Sequence, residues 1–264
     1  MSLIRRLFLV GLGALLVAPA LPCPALGLEL SELGVVFVHG KGMWPGAFDG
    51  GIVNLLREAG AKVATPGMPW SFTRIYAASY QEGLREIDAA VADVKARGAT
   101  KIVIIGHSLG ANAAIGYAAS RGPLAAVVAI APGHLPEVEG LRGRTHEALV
   151  TAAQLVAAGK GDERHSFPDA IQGVPTFVMA SPFVYMSMFD PNGPAVMPKN
   201  AAAMPAVPFM WVAGTFDPIS ARGRKYAFDL AAKDPRSRYV EVLAGHLSAA
   251  RLARSTIVRW LKSL

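Results

Sequence analysis

From Gly34 onward the chain alternates short β-branched, apolar runs with longer segments whose apolar residues recur at helical spacing. That alternation restricts the fold to a mainly parallel sheet covered by helices. Strands are expected at residues 34–38, 62–65, 101–105, 126–131, 209–213 and 239–243, each ending near Gly, Pro, His or Asp, so that polar residues collect at the strands' C-terminal ends. Between them, residues 76–97 carry Leu84, Ile87, Val91 and Val94 near helical spacing and stop at Gly98, which predicts a surface helix packed on the sheet.

A chain of 264 residues with 52% hydrophobic content supports one sizeable core. The first 27 residues are expected to lie outside it. Arg5 and Arg6 precede an apolar run over residues 7–21, followed by a small, Pro-rich stretch ending in Ala25-Leu26-Gly27. This is the pattern of an exported protein's signal peptide, with cleavage expected after Gly27 and a second candidate cut at residues 18–20. The run is about 15 residues, short of the ~20 that span a bilayer, so no stable membrane insertion is expected after cleavage. The predicted destination is the periplasm or the exterior. Cys23, the single cysteine, leaves with the leader, so the mature domain, residues 28–264, can form no disulfide. Losing Arg5 and Arg6 lowers the formal charge from +7 to +5. The remaining basic residues are dispersed, which argues against a nucleic-acid partner.

Residues 134–207 break the rhythm, with one helical segment expected at 145–158, a polar loop at 159–165 and a Met- and Pro-rich stretch over 175–208. We read this as a cap inserted between the strand near 126–131 and the strand near 209–213. Met179, Met186, Met188, Met197 and Met204 are its candidate pocket-lining residues, against plain packing as the alternative. Trp44, Phe48, Trp70 and Tyr185 are further candidates for pocket walls.

The strongest local signal is Gly106-His107-Ser108-Leu109-Gly110, which follows Ile102-Val103-Ile104-Ile105 and precedes the helix-like stretch 111–120. A serine between glycines at a strand-to-helix turn is forced to project its hydroxyl from the top of a sheet, beside backbone N–H groups able to stabilise negative charge. On this pattern, from Gly34 to the C-terminus, the chain resembles the α/β-hydrolase family of esterases and lipases. The resemblance implies a mainly parallel central sheet flanked by helices and the site order Ser, acid, His. Asp217, on the loop after the strand at 209–213, stands where the family's acid is found. His246 follows the strand at 239–243, about 30 residues further on, and alone among the six histidines has the position of the base. His246 would take the Ser108 proton while Asp217 fixes its tautomer.

The oxyanion donors implied are the backbone N–H groups of Leu109 and of Lys41, the latter in the loop His39-Gly40-Lys41-Gly42. Lys41 is an unusual occupant, and its ammonium is expected to reach solvent rather than an anionic substrate group. His39 is expected to brace this loop and His107 to pack within the elbow, the strand-to-helix turn that carries Ser108. His134, His146 and His165 lie too far apart, in unlike contexts, to suggest a metal site, and the chemistry calls for no metal and no organic cofactor. The expected activity is cleavage of a small-molecule carboxylic ester, or a related acyl compound, through an acyl-enzyme. Amide or thioester substrates, a lipase acting at membranes, and a catalytically idle binding protein are the alternatives. A serine at the elbow speaks against the branches whose nucleophile is a carboxylate.

Overall fold

The computed structural model describes residues 28–219 and 222–264; the expected signal peptide, with Cys23, lies outside the described residues. The strands are β1 (Leu33–Val38), β2 (Lys62–Ala64), β3 (Lys101–His107), β4 (Ala126–Ile130), β5 (His165–Ile171), β6 (Val174–Ala180), β7 (Phe209–Gly214) and β8 (Arg238–Val242). The helices are α1 (Ile52–Glu58), α2 (Tyr80–Ala96), α3 (Leu109–Ser120), α4 (Glu139–Ala157), α5 (Pro182–Phe189), α6 (Met197–Ala203) and α7 (Ala249–Lys262).

Six strands form one sheet in the order β2-β1-β3-β4-β7-β8, every pair parallel, and all six occupy the stretches the apolar runs predicted. Burial on both faces explains why the runs of the inner strands β1, β3, β4 and β7 are continuous, whereas the edge strands β2 and β8 are only partly buried. On one face Val36, Ile104, Ala129 and Trp211 join α2 and α3 in one apolar cluster. On the other, Val35, Val103, Ile105 and Met210 pack with α1 and α7. Truncating a fully buried strand residue such as Ile104 to Ala would cost ~2–5 kcal/mol in lost transfer energy and cavity formation.

Helix boundaries differ from expectation for local reasons. Helix α2 starts at Tyr80, not 76, because the Ser79 side chain accepts from the Glu82 amide while the Glu82 carboxylate reaches back to the Ser79 amide, a reciprocal cap. Ile75 and Tyr76 moreover have positive φ, 44° and 53°, which no right-handed helix accepts. Helix α4 begins at Glu139, six residues before the expected start; Gly140 and Gly143 had masked its first turns.

The segment between β4 and β7 holds α4, α5, α6 and an antiparallel hairpin of β5 and β6 that was not expected. Pro168 and Pro175 lie within its strands, and proline ordinarily demotes a strand reading. A hairpin that belongs to no larger sheet tolerates them. The strands join through Gln172 and Gly173, whose φ of 50° and 82° supply the positive values that a tight two-residue turn requires. Of the five methionines read as pocket lining, Met188, Met197 and Met204 are buried in the core cluster, and Met179 is exposed.

Candidate functional site

The site forms where β3, β7 and β8 end. Between β3 and α3, Ser108 adopts φ 57° and ψ −120°, a conformation that costs of order 1–3 kcal/mol for a residue with a side chain. Four bonds hold it there: the Ser108 amide donates to the Ile130 carbonyl at 3.0 Å, and the Ser108 carbonyl accepts from Ala111 at 3.0 Å, Gly133 at 3.1 Å and Asn112 at 3.2 Å. The flanking glycines are required by backbone crowding. A Cβ on Gly106 would lie 2.1 Å from the Gly110 carbonyl oxygen, and one on Gly110 would lie 2.0 Å from that of Val38.

The loops after β7 and β8 deliver Asp217 and His246 to this turn, and both are buried. His246 Nε2 lies 2.9 Å from Ser108 Oγ, and its Nδ1 lies 2.7 Å from Asp217 Oδ2. A carboxylate only accepts, so Nδ1 carries the proton and Nε2 is left to accept from the serine hydroxyl. Asp217 Oδ1 accepts from the Ile219 amide at 3.0 Å, which fixes the carboxylate's plane. The three side chains therefore form one hydrogen-bonded chain drawn from residues 138 positions apart at its widest.

His107 and His39 brace the site, as expected. His107 Nε2 donates to the His246 carbonyl at 3.0 Å, and burial depresses its pKa to about 4, so it is neutral at pH 7. His39 Nδ1 donates to the Gly40 carbonyl at 2.8 Å and Nε2 accepts from the Met68 amide at 3.0 Å. Both its nitrogens are thus committed to holding the loop after β1, and burial lowers its pKa as well. The amides of Lys41 and Leu109 enter no backbone hydrogen bond among the described residues. Both residues line the same cavity as Ser108.

A profile of the alpha/beta hydrolase family matches residues 35–255. The chain belongs to the alpha/beta hydrolase family. Solved structures share the fold of this alpha/beta hydrolase. A monoacylglycerol lipase of Paleococcus ferrophilus superposes with a TM-score of 0.63 at 24% identity, over 87% of this chain and 94% of that one. The alpha/beta hydrolase GrgF of Penicillium gives 0.66 at 17% identity over 87% and 89%. An esterase of Pyrococcus furiosus gives 0.56 at 18% identity over 88% and 82%. No curated protein sequence matches the chain.

In this hydrolase, Ser108 and His246 open onto a cavity of about 510 Å³. Its walls are mostly apolar, with Met43, Leu135, Val138 and Leu141 prominent, and the hairpin turn from Ala170 to Gly173 closes one side. None of the aromatic residues suggested as walls lines it: Trp70 and Tyr185 are core residues, while Trp44 and Phe48 are exposed.

The expectation for the Lys41 ammonium is corrected. Its side chain is only 11% exposed, and Nζ donates to Asp169 Oδ1 at 2.6 Å and to the Ala170 carbonyl at 3.1 Å. Burial lowers the Lys41 pKa, and the Asp169 carboxylate pulls it back up. Asp169 is 2% exposed and faces the Tyr76 hydroxyl at 3.4 Å on its other oxygen.

Two site residues escaped the sequence reading. Asp169 sits in a stretch that gave no strand signal. Gly133 follows β4, and a Cβ there would stand 2.9 Å from Ser108 Oγ; Ala131-Pro132-Gly133-His134 after an apolar run was the available cue.

Proposed function

We propose that this protein is a serine hydrolase that cleaves carboxylic esters through an acyl-enzyme. The observation that carries the reading is the chain from Ser108 Oγ through His246 to Asp217, at 2.9 and 2.7 Å, with Ser108 and His246 lining a mostly apolar cavity. Ser108 Oγ attacks the substrate's carbonyl carbon as His246 Nε2 takes the hydroxyl proton. The carbonyl oxygen becomes an oxyanion that accepts from the Leu109 and Lys41 amides. The tetrahedral intermediate collapses, His246 returns its proton to the departing alcohol, and the acyl group stays on Ser108. Water then attacks the acyl-enzyme with His246 again as base, and the carboxylic acid leaves. Asp217 holds the imidazole tautomer throughout and stabilises the imidazolium.

The family supports hydrolysis, and the lipase and esterase among the structural neighbours support esters as the bond cleaved. A mostly apolar cavity suits an acyl chain or an apolar alcohol. We read residues 134–207 as a cap over this cavity, since α4 and the hairpin turn supply much of its wall. Export to the periplasm or the exterior is likewise our reading of residues 1–27. The test is hydrolysis of chromogenic acyl esters of increasing chain length by the mature protein and by Ser108→Ala. Turnover abolished in the variant supports the reading; equal rates in both remove Ser108 from the mechanism.

A further inference from the structure

We infer that Asp169 is a positioning residue for the oxyanion site, acting through Lys41. The inference rests on the ester-hydrolase reading and extends it from the site's own loops to the β5–β6 hairpin. Lys41 carries two functions on one residue. Its backbone amide enters no backbone hydrogen bond among the described residues and the residue lines the same cavity as Ser108, while its side chain turns away from solvent and ends on Asp169, 128 positions later in the chain. A lysine side chain left to itself keeps its head in water; here the head is held inside by a carboxylate, a carbonyl and the face of Phe189, whose ring centre lies 5.4 Å from Nζ.

Asp169 is itself fixed. One oxygen accepts from Lys41 and from the Ala170 amide at 2.6 Å, the other faces the Tyr76 hydroxyl. The hairpin strand is tied at the adjacent residue, where the Pro168 carbonyl accepts from the Tyr185 hydroxyl at 2.8 Å. Immediately beyond Asp169, Ala170, Ile171, Gln172 and Gly173 line the cavity. The ion pair therefore joins the loop bearing one oxyanion donor to the strand that forms the cavity wall. On the opposite side, His39 ties the same loop through Gly40, and the Gly42 amide donates to the Trp70 carbonyl at 2.8 Å. Lys41 is thus held from both neighbours by backbone bonds and from its own side chain by Asp169. Loss of the side-chain restraint frees the peptide that presents the amide, and an error of a fraction of an ångström there weakens a bond formed most strongly in the transition state.

The decisive variant removes both charges, Lys41→Met with Asp169→Leu. Replacing a buried ion pair by apolar residues of similar volume is often neutral for stability, so the tie is cut with no charge left buried, and the melting midpoint reports whether the fold is kept. Four proteins are compared: wild type, Asp169→Asn, Lys41→Met and the double variant. For each, kcat and KM are measured on a short-chain 4-nitrophenyl ester, together with the rate of Ser108 phosphonylation by a fluorophosphonate, whose phosphonyl oxygen occupies the same oxyanion site, and the melting midpoint. The expected result is a fall in kcat and in phosphonylation rate of about tenfold or more, with KM within about twofold, in a double variant that melts near the wild type. The two single losses are expected not to multiply in the double.

A double variant that melts like the wild type and turns over at its rate overturns the inference, because the pair would then serve packing alone. A rise in KM with kcat unchanged overturns it also. Should the double variant not fold, Asp169→Glu, which keeps the charge but displaces it by one methylene, is read by the same criteria. A wild type that neither cleaves esters nor reacts with the fluorophosphonate defeats the ester-hydrolase reading and this inference with it. Activity in the wild type with unaffected variants defeats this inference alone.

Discussion

His107, the residue before the elbow serine, donates its Nε2 proton to the backbone carbonyl of His246 across 3.0 Å. The elbow thus grips the loop that carries its own hydrogen-bond partner, and the two imidazole rings stand 5.1 Å apart, centre to centre. Replacing His107 with Leu removes the donor and strands a buried carbonyl, a loss of ~1–3 kcal/mol. A lower melting midpoint and a reduced kcat are expected together. His107→Gln, which can offer an amide N–H, should recover part of both, and an unchanged midpoint in His107→Leu would show that the bond does not hold the loop.

Buried histidines also set the protein's response to acid. Burial depresses both His107 and His134 from the ordinary 6.5 to about 4. Between pH 6.5 and about 4 the unfolded chain takes up protons that the folded chain refuses. Their contribution to stability is therefore complete above pH 6.5 and shrinks as pH falls through that window, by up to about 1.4 kcal/mol per pH unit for each histidine. Urea midpoints measured from pH 7.5 to 4 should fall accordingly, and His134→Gln should flatten the slope; a midpoint independent of pH would contradict this account.

Asp217→Asn keeps the shape of the acid but can present an N–H where the carboxylate accepts from His246. The favoured imidazole tautomer then reverses and Nε2 loses its lone pair to a proton. A fall in kcat of roughly 10³–10⁴ is expected, with KM and melting midpoint little changed. Steady-state kinetics on one chromogenic ester suffice, and a loss under tenfold would remove Asp217 from the mechanism.

Gly133 tests the space above the nucleophile. A Cβ at this position stands 2.9 Å from Ser108 Oγ and 3.6 Å from His246 Cε1, so it would crowd the two groups between which the proton must pass. Gly133→Ala, the smallest addition and one whose single methyl meets the Ser108 hydroxyl, should fold yet lose nearly all ester turnover. Circular dichroism alongside the assay separates the two, and a folded, fully active variant would move the substrate elsewhere.

The parallel sheet was legible because strands buried on both faces must be apolar throughout, as Ile102-Val103-Ile104-Ile105 is, and no other element demands that over so short a run. Ser108 was legible from the glycines that flank it after such a run, and Asp217 and His246 from the site order that the resemblance implies at the ends of two later strands; the structure brings all three together. The hairpin was not, because Pro168, Asp169 and Pro175 argue locally against strands, and only pairing between β5 and β6 overrides them. The burial of Lys41 was invisible for a different reason. Nothing within its own loop distinguishes a solvated lysine from one whose carboxylate partner lies 128 positions away.

The most direct test of the central claim is to find which atom becomes acylated or its equivalent. Protein treated with a fluorophosphonate, then digested and mapped by mass spectrometry, should carry one adduct, on Ser108, and His246→Ala should carry none over the same interval. An adduct confined to another serine, or labelling of His246→Ala at the wild-type rate, would contradict the mechanism proposed for this site.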